Sequence, residues 1–146
     1  MDETYARVKS RLFYLYRAID SAGATIDFLL SAVRSADAAK ALFAEALVDP
    51  PHPQPRAINT DNAKCYPPAI DESKEEGVLR WCCRNRPVQY LNNILDQDHR
   101  AIKKRIRAKQ HFRQFCCARR TIQGYEVIHK IRKGQARWVK KGDVLA

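Results

Sequence analysis

Asp2, Asp61 and Asp96 stand out in this chain of 146 residues because each falls at the edge of a recognisable element. Asp2 comes just before a first strand pattern, Asp61 just after a fourth, and Asp96 early in a long helical stretch, with 34 residues between the last two. A lone aspartate in such a place usually caps a helix or solvates a turn. Three that a fold draws together make a set of hard oxygen donors, the chemistry that suits divalent cations. Asp20, Asp27 and Asp98 compete for the same reading. Asp98 falls about 200° round the helix from Asp96, at 100° per residue, and reads instead as a partner of nearby Arg or His.

Cations follow the third carboxylate at helical spacing. Asp96, Arg100, Lys103 and Arg107 fall at i, i+4, i+7 and i+11, a single face on which a carboxylate and phosphate-binding groups would stand side by side. The simpler alternative is an Asp96–Arg100 ion pair on a solvated helix, worth about 0.3–0.5 kcal/mol. Lys104 and Arg105 read as phosphate contacts or as solubility. This stripe belongs to a wider asymmetry. The net charge of +11 divides into −3 for residues 1–79, with 9 basic and 12 acidic groups, and +14 for residues 80–146, with 18 and 4. So strong a local field favours a polyanionic partner, because each neutralised phosphate releases condensed counterions. Charge alone leaves DNA, RNA and anionic lipid open.

The elements that must position these groups can be read in order. Thr4 to Val8 alternates like a strand, Lys9-Ser10-Arg11 is a tight connection, and Leu12 to Ile19 is rich in β-formers. Asp20-Ser21-Ala22-Gly23 signals a turn, and Ile26, Phe28 and Leu30 then share one strand face, so the segment predicts a three-stranded meander. Ser35 is a good N-cap for a helix carrying Ala39, Leu42, Phe43, Ala46 and Leu47. Four prolines in the six positions 50–55 exclude helix and central strand. A short strand at Ala57 to Thr60, a helix from Pro67-Pro68 to Gly77 and a strand at Val78 to Trp81 follow. Leu91 to about Arg107 and Phe112 to about Arg132 read as helices. The order βββαβαβαα predicts an α/β fold in which a mixed sheet is flanked by helices.

Composition sets the outer limits. The length fits one domain, and 45% hydrophobic residues with only five glycines exclude a disordered basic tail. No apolar run approaches the roughly 18 residues of a membrane span, and the acidic start lacks the basic region of a signal peptide, so a soluble, cytoplasmic protein without membrane partner is expected. Five cysteines, four in the vicinal pairs Cys82-Cys83 and Cys116-Cys117, lack zinc-site spacing and read as reduced, mostly buried thiols. His99 and His111 read as surface hydrogen-bonders, His129 as a packed residue continuing the stripe Phe115, Ala118, Ile122, Tyr125, and Trp81 as core. Trp138, among Arg137, Lys140 and Lys141, belongs to a basic tail over 134–146 that would touch nucleic acid or be disordered.

Several ordered stretches resemble one family. They are Asp2-Glu3-Thr4-Tyr5, Tyr14 to Asp20, Thr25 to Ser31, Ile58-Asn59-Thr60-Asp61, Val88 to Asn93, Gln97 to Arg100, Ala118 to Ile122 and Ile131 to Gln135. Together they resemble the DDE transposases of bacterial insertion sequences, most closely insertion sequence family six, over nearly the whole chain. The resemblance implies a ribonuclease-H-like, retroviral-integrase-like core over 1–133, with a mixed five-stranded sheet. It implies that Asp2, Asp61 and Asp96 are the catalytic, metal-binding triad, holding Mg²⁺ with Mn²⁺ as a substitute, for DNA strand cleavage and transfer. DNA, as transposon ends and target, is the implied partner, with Lys103 at the family's end-contacting position and Arg100, Lys104 and Arg107 added to it by the helix reading above, a homo-oligomer forming on the DNA and no small-molecule substrate.

Two departures from the family pattern bear on activity. The family carries Glu at the third acidic position, and Asp96 is one methylene shorter, a reach about 1.3 Å less; a misplacement near 1 Å can cost about 10²-fold in rate. Members also carry a helix-turn-helix region and the beginning of the first strand upstream of Asp2, so the resemblance implies a truncated core, to be read either as a functional enzyme or as an inactive remnant. A non-catalytic DNA-binding module that joins full-length transposase is the alternative. A ribonuclease H or resolvase-like enzyme is a more distant one.

Overall fold

The computed structural model describes residues 1–48, 53–87, 100, 102–106 and 112–136. Strands β1 (Asp2–Val8), β2 (Arg11–Ile19) and β3 (Thr25–Ser31) form the expected antiparallel meander. Lys9, in the left-handed region at φ 52°, makes the two-residue hairpin turn. At the second turn Asp20 Oδ1 accepts the N–H groups of Ala22 at 2.9 Å and Ala24 at 2.7 Å, and Gly23 supplies a φ of 84°. The register shifts between Ala18, opposite Asp27, and Ile19, opposite Thr25. This irregularity leaves Ile26 as an extra residue, so it packs against the cluster on one face while Phe28 and Leu30 join the cluster on the other. The shared face expected for the three residues is thereby corrected.

Helices cover both faces of the meander. On one side lies α1 (Ala36–Val48), whose start is capped by Ser35 Oγ accepting Ala38 N–H at 3.2 Å, with Ala39, Leu42, Phe43 and Ala46 buried. Beside it α2 (Tyr66–Glu75) begins with Pro67 in its first turn and is closed by Gly77 at φ 75°. Tyr16, Ala18, Leu42, Phe43, Ile58, Tyr66 and Ile70 make this core. On the other side Ala6, Val8, Leu15 and Leu30 pack with Ile102, Ile106, Ala118 and Ile122. The last two belong to α3 (Phe115–Arg132). Residues 100 and 102–106 are helical, the described part of the helix expected over Leu91 to Arg107.

Several expectations need correction. Strand β4 (Ala57–Thr60) lies where predicted and pairs in parallel with β5 (Arg84–Pro87), so the strand expected at Val78 to Trp81 forms further along the chain. Val78 and Leu79 are instead the apolar seal of the α2 C-terminus: Leu79 is buried and its N–H donates to Ser73 O at 2.9 Å. Trp81 is 78% exposed rather than core. Among the described residues the strands form a three-stranded and a two-stranded sheet rather than one of five strands. The amino group of Met1, donating to the Asn59 carbonyl, links them. Phe112 precedes α3 and bridges Val8 in parallel. Cys82, Cys116 and Cys117 are exposed, so the thiols are free, as expected, but not mostly buried.

One polar interaction lies at the centre. Arg17, fully buried on β2, holds Glu126 of α3 through two contacts, Nε to Oε1 at 2.5 Å and Nη2 to Oε2 at 2.9 Å. Further along, Lys133 Nζ donates to Gly23 O at 2.7 Å, and Gln135 exchanges two 3.1 Å hydrogen bonds with the Thr25 backbone. Removing one partner strands a buried charge, which typically costs about 3–5 kcal/mol. Glu126→Ala is expected to lose that amount in urea unfolding. The double replacement Arg17→Met with Glu126→Leu should recover most of it, and a double variant no better than Glu126→Ala would contradict this account.

Candidate active site

β4 ends at buried Thr60 and the chain emerges at Asp61, half-exposed at the carboxyl end of a parallel strand. That end is where open α/β sheets commonly present ligand-binding groups. Asn62 turns the backbone in the left-handed region at φ 68°, a conformation Asn tolerates better than most residues. Ala63 then returns to the core and its N–H donates to Asp61 Oδ1 at 3.2 Å. The carboxylate is thus tethered to its own turn.

Asp2 is the first residue of β1, opposite Arg17 in the register with β2. Because Met1 donates to Asn59 O, the backbone leading into Asp2 lies against the backbone leading to Asp61. The structure therefore brings the ends of two strands together at these positions. Asp96, Asp98 and Arg107 lie outside the described residues, as do His99, His111 and Trp138. Arg100 and Lys104 are exposed and Lys103 is half-buried, on a segment anchored through Ile102 and Ile106. Arg105 sits over the Tyr125 ring, 5.4 Å from its centroid, and so serves packing as well as charge. Asp20 and Asp27 are structural: the first caps its turn, and the second accepts Phe28 N–H at 2.8 Å. His129 is half-buried, in keeping with a packed position.

Behind Asp61 the environment is acidic. Burial pushes the Cys65 thiol up, and the Glu3 and Asp61 carboxylates push it in the same direction. Glu3 is itself buried and ion-paired with Arg34. No sequence signal singled out this pair or the Arg17–Glu126 pair, although an arginine inside the apolar run of β2 is an anomaly that calls for a buried partner. Among the described residues no three His, Cys, Asp or Glu side chains form a metal-binding group. The donor chemistry of Asp61, an oxygen anion at a strand end, fits a hard divalent cation once further carboxylates join it.

Residues 1–135 match the family DDE_Tnp_IS240, described as a DDE domain. The chain belongs to the DDE transposases of insertion sequence family six. It is 34% identical over 137 residues to the transposase for insertion sequence-like element IS431mec of Staphylococcus aureus strain Mu50, covering 94% of this chain and 58% of that protein. The same figures hold for the transposase for insertion sequence element IS257 in transposon Tn4003 of Staphylococcus aureus. This DDE chain therefore spans somewhat over half the length of those transposases. No solved structure matches it. No helix among the described residues is long and apolar enough to cross a membrane.

The thiols offer a check on this geometry. Thiolate is the reactive form, so a raised pKa means less of it at pH 8. Cys82, Cys116 and Cys117 are expected to label quickly with iodoacetamide in the folded protein, and Cys65 and Cys83 only slowly until urea is added. Peptide mass spectrometry reads the order, and rapid labelling of Cys65 would contradict its placement behind Asp61.

Proposed function

We propose that this chain is the ribonuclease-H-like, retroviral-integrase-like catalytic core of an insertion-sequence transposase, with Asp2, Asp61 and Asp96 as its acidic triad. The observation that carries the reading is the family match across residues 1–135, which contains all three carboxylates. The emergence of Asp61 from a parallel strand end beside the start of β1 supports it. In this reading residues 1–133 are the core and 134–146 a basic tail. The partner is DNA, as transposon ends and target, bound by a homo-oligomer in the bacterial cytoplasm.

The chemistry is an in-line displacement at a phosphodiester. The oxygen of water in cleavage, or of a DNA 3′-hydroxyl in joining, forms a new P–O bond, one backbone P–O bond breaks, and the departing oxygen takes a proton. Mg²⁺, or Mn²⁺ in its place, held by Asp2, Asp61 and Asp96 would activate the attacking oxygen and stabilise the leaving one. Asp61 meets this task with a carboxylate restrained by the Ala63 N–H. Arg100, Lys103, Lys104 and Arg107 neutralise backbone phosphates and hold the duplex. No covalent protein–DNA bond is needed, so positioning and charge neutralisation carry the rate.

A second reading, a DNA-binding module that joins full-length transposase without catalysis, draws on the second half of the chain. Arg80, Arg84, Arg86, Arg113, Arg119, Arg120 and Arg132 are all exposed there. Strand transfer of a pre-cleaved insertion-sequence end in Mg²⁺ or Mn²⁺ separates the two. Asp61→Ala is expected to reduce it at least about 10²-fold, and activity indifferent to that change would refute the catalytic reading. Asp96→Glu, which restores the family's reach, is expected to raise the rate by up to about 10²-fold.

A further inference from the structure

The far end of the meander carries a second concentration of charge. β1 and β2 meet in the turn at Lys9 and Ser10, and Arg113 and Gln114 come up beside it. Arg7, Lys9, Ser10, Arg113 and Gln114 line a shallow cleft of about 830 Å³. The two chain segments are fastened by backbone hydrogen bonds: Lys9 N–H donates to Phe112 O at 2.6 Å and Phe112 N–H to Arg7 O at 2.8 Å. Val8 and Phe112, which bridge each other, are buried beneath. The cations are therefore not borne on a loose loop. Their side chains are exposed, and none has a carboxylate partner among the described residues. Arg11, opposite Val8, adds a fourth positive charge at the tip, and α3 brings no acidic residue into its first turn.

Three exposed cations around an open concavity, with no carboxylate partner among the described residues, fit the repeated phosphates of a nucleic acid backbone. β1 has seven residues, so its two ends lie about 20 Å apart at roughly 3.3 Å per residue. About six base pairs of duplex cover that distance, at 3.4 Å per step. We propose that the hairpin tip and the segment before α3 form a second DNA-backbone contact, separate from the acidic end of the sheet, which grips duplex beyond the reacting phosphate. The inference rests on the reading that the chain acts on DNA, and it adds a place and a set of residues that the triad and the Arg100 stripe do not include.

The test measures the affinity of the full chain for a random-sequence duplex of about 20 base pairs against salt concentration, with each phosphate contact contributing roughly 0.9 to the log–log slope. Combined Arg7→Gln, Lys9→Gln and Arg113→Gln is expected to lower the slope by about three and to weaken binding at low salt at least about tenfold. Arg7→Lys with Arg113→Lys, which keeps charge, should retain the slope. If the glutamine variant, folded by circular dichroism, keeps the wild-type slope, or if the lysine variant loses it, the hairpin contact is overturned while the DNA reading stands. If the wild-type chain binds no duplex, or binds only vesicles of anionic phospholipid, both are overturned.

Discussion

The buried pair of Arg17 and Glu126 is the constraint on which the arrangement of this molecule depends. Two charges withdrawn from water are tolerable only when each meets the other in full, so the pair admits one height and one rotation of α3 over the sheet. α3 has 18 residues and is about 27 Å long at 1.5 Å per residue. Fixed at its middle by Glu126, it is fixed again at its C-terminal end, where Lys130, Lys133 and Gln135 bond to Ile26, Gly23 and Thr25. The position of its N-terminal end against Val8 then follows. The basic half of the chain is attached to the meander by specific polar contacts rather than by apolar packing alone.

Charge is managed differently on the two faces. On the α1–α2 face the ions are matched locally: Glu3 with Arg34, and Lys40 with Glu72 and Glu76. The exposed pairs of Lys40 contribute little to stability, but together with the Glu3–Arg34 pair they leave little net field. On the α3 face the cations outnumber the anions, and the one glutamate of α3 is consumed internally by Arg17. The positive potential is thus left directed outward, which is the condition a polyanion requires and a cost the fold bears through self-repulsion.

What the sequence made legible followed from local rules. The Asp20 turn, the Ser35 cap and the stripe of α1 obey short-range chemistry, and each appears where those rules put it. The failures have a common physical origin in contacts that lie outside the misread segment. Val78 to Trp81 has the apolar composition of a strand, yet Gly77 turns the chain back so that Leu79 seals a helix end, and pairing begins only at Arg84. Ile26 left its expected face because of one extra residue in a register that only the partner strand defines. Phe112 reads as helix by composition, but the edge of β1 claims its backbone. The position of Asp61 after β4 was legible, and the turn that tethers its carboxylate was not.

The candidate site also shows where its own precision must come from. Asp2 and Asp61 are polar residues at strand ends, and strand ends fray unless something holds them. Met1, immediately before Asp2, Ile58, on the strand leading to Asp61, and Ala63, two residues beyond it, are all buried in one cluster with Tyr16 and Tyr66. The backbone of both acidic positions is therefore flanked by side chains of a single apolar core, and the Met1–Asn59 hydrogen bond adds direction to that packing. A carboxylate placed for chemistry has to face solvent and substrate, so its rigidity cannot be its own. In this molecule it is supplied from the residues on either side, which ties the tolerance of the acidic site to the density of the α1–α2 core beneath it.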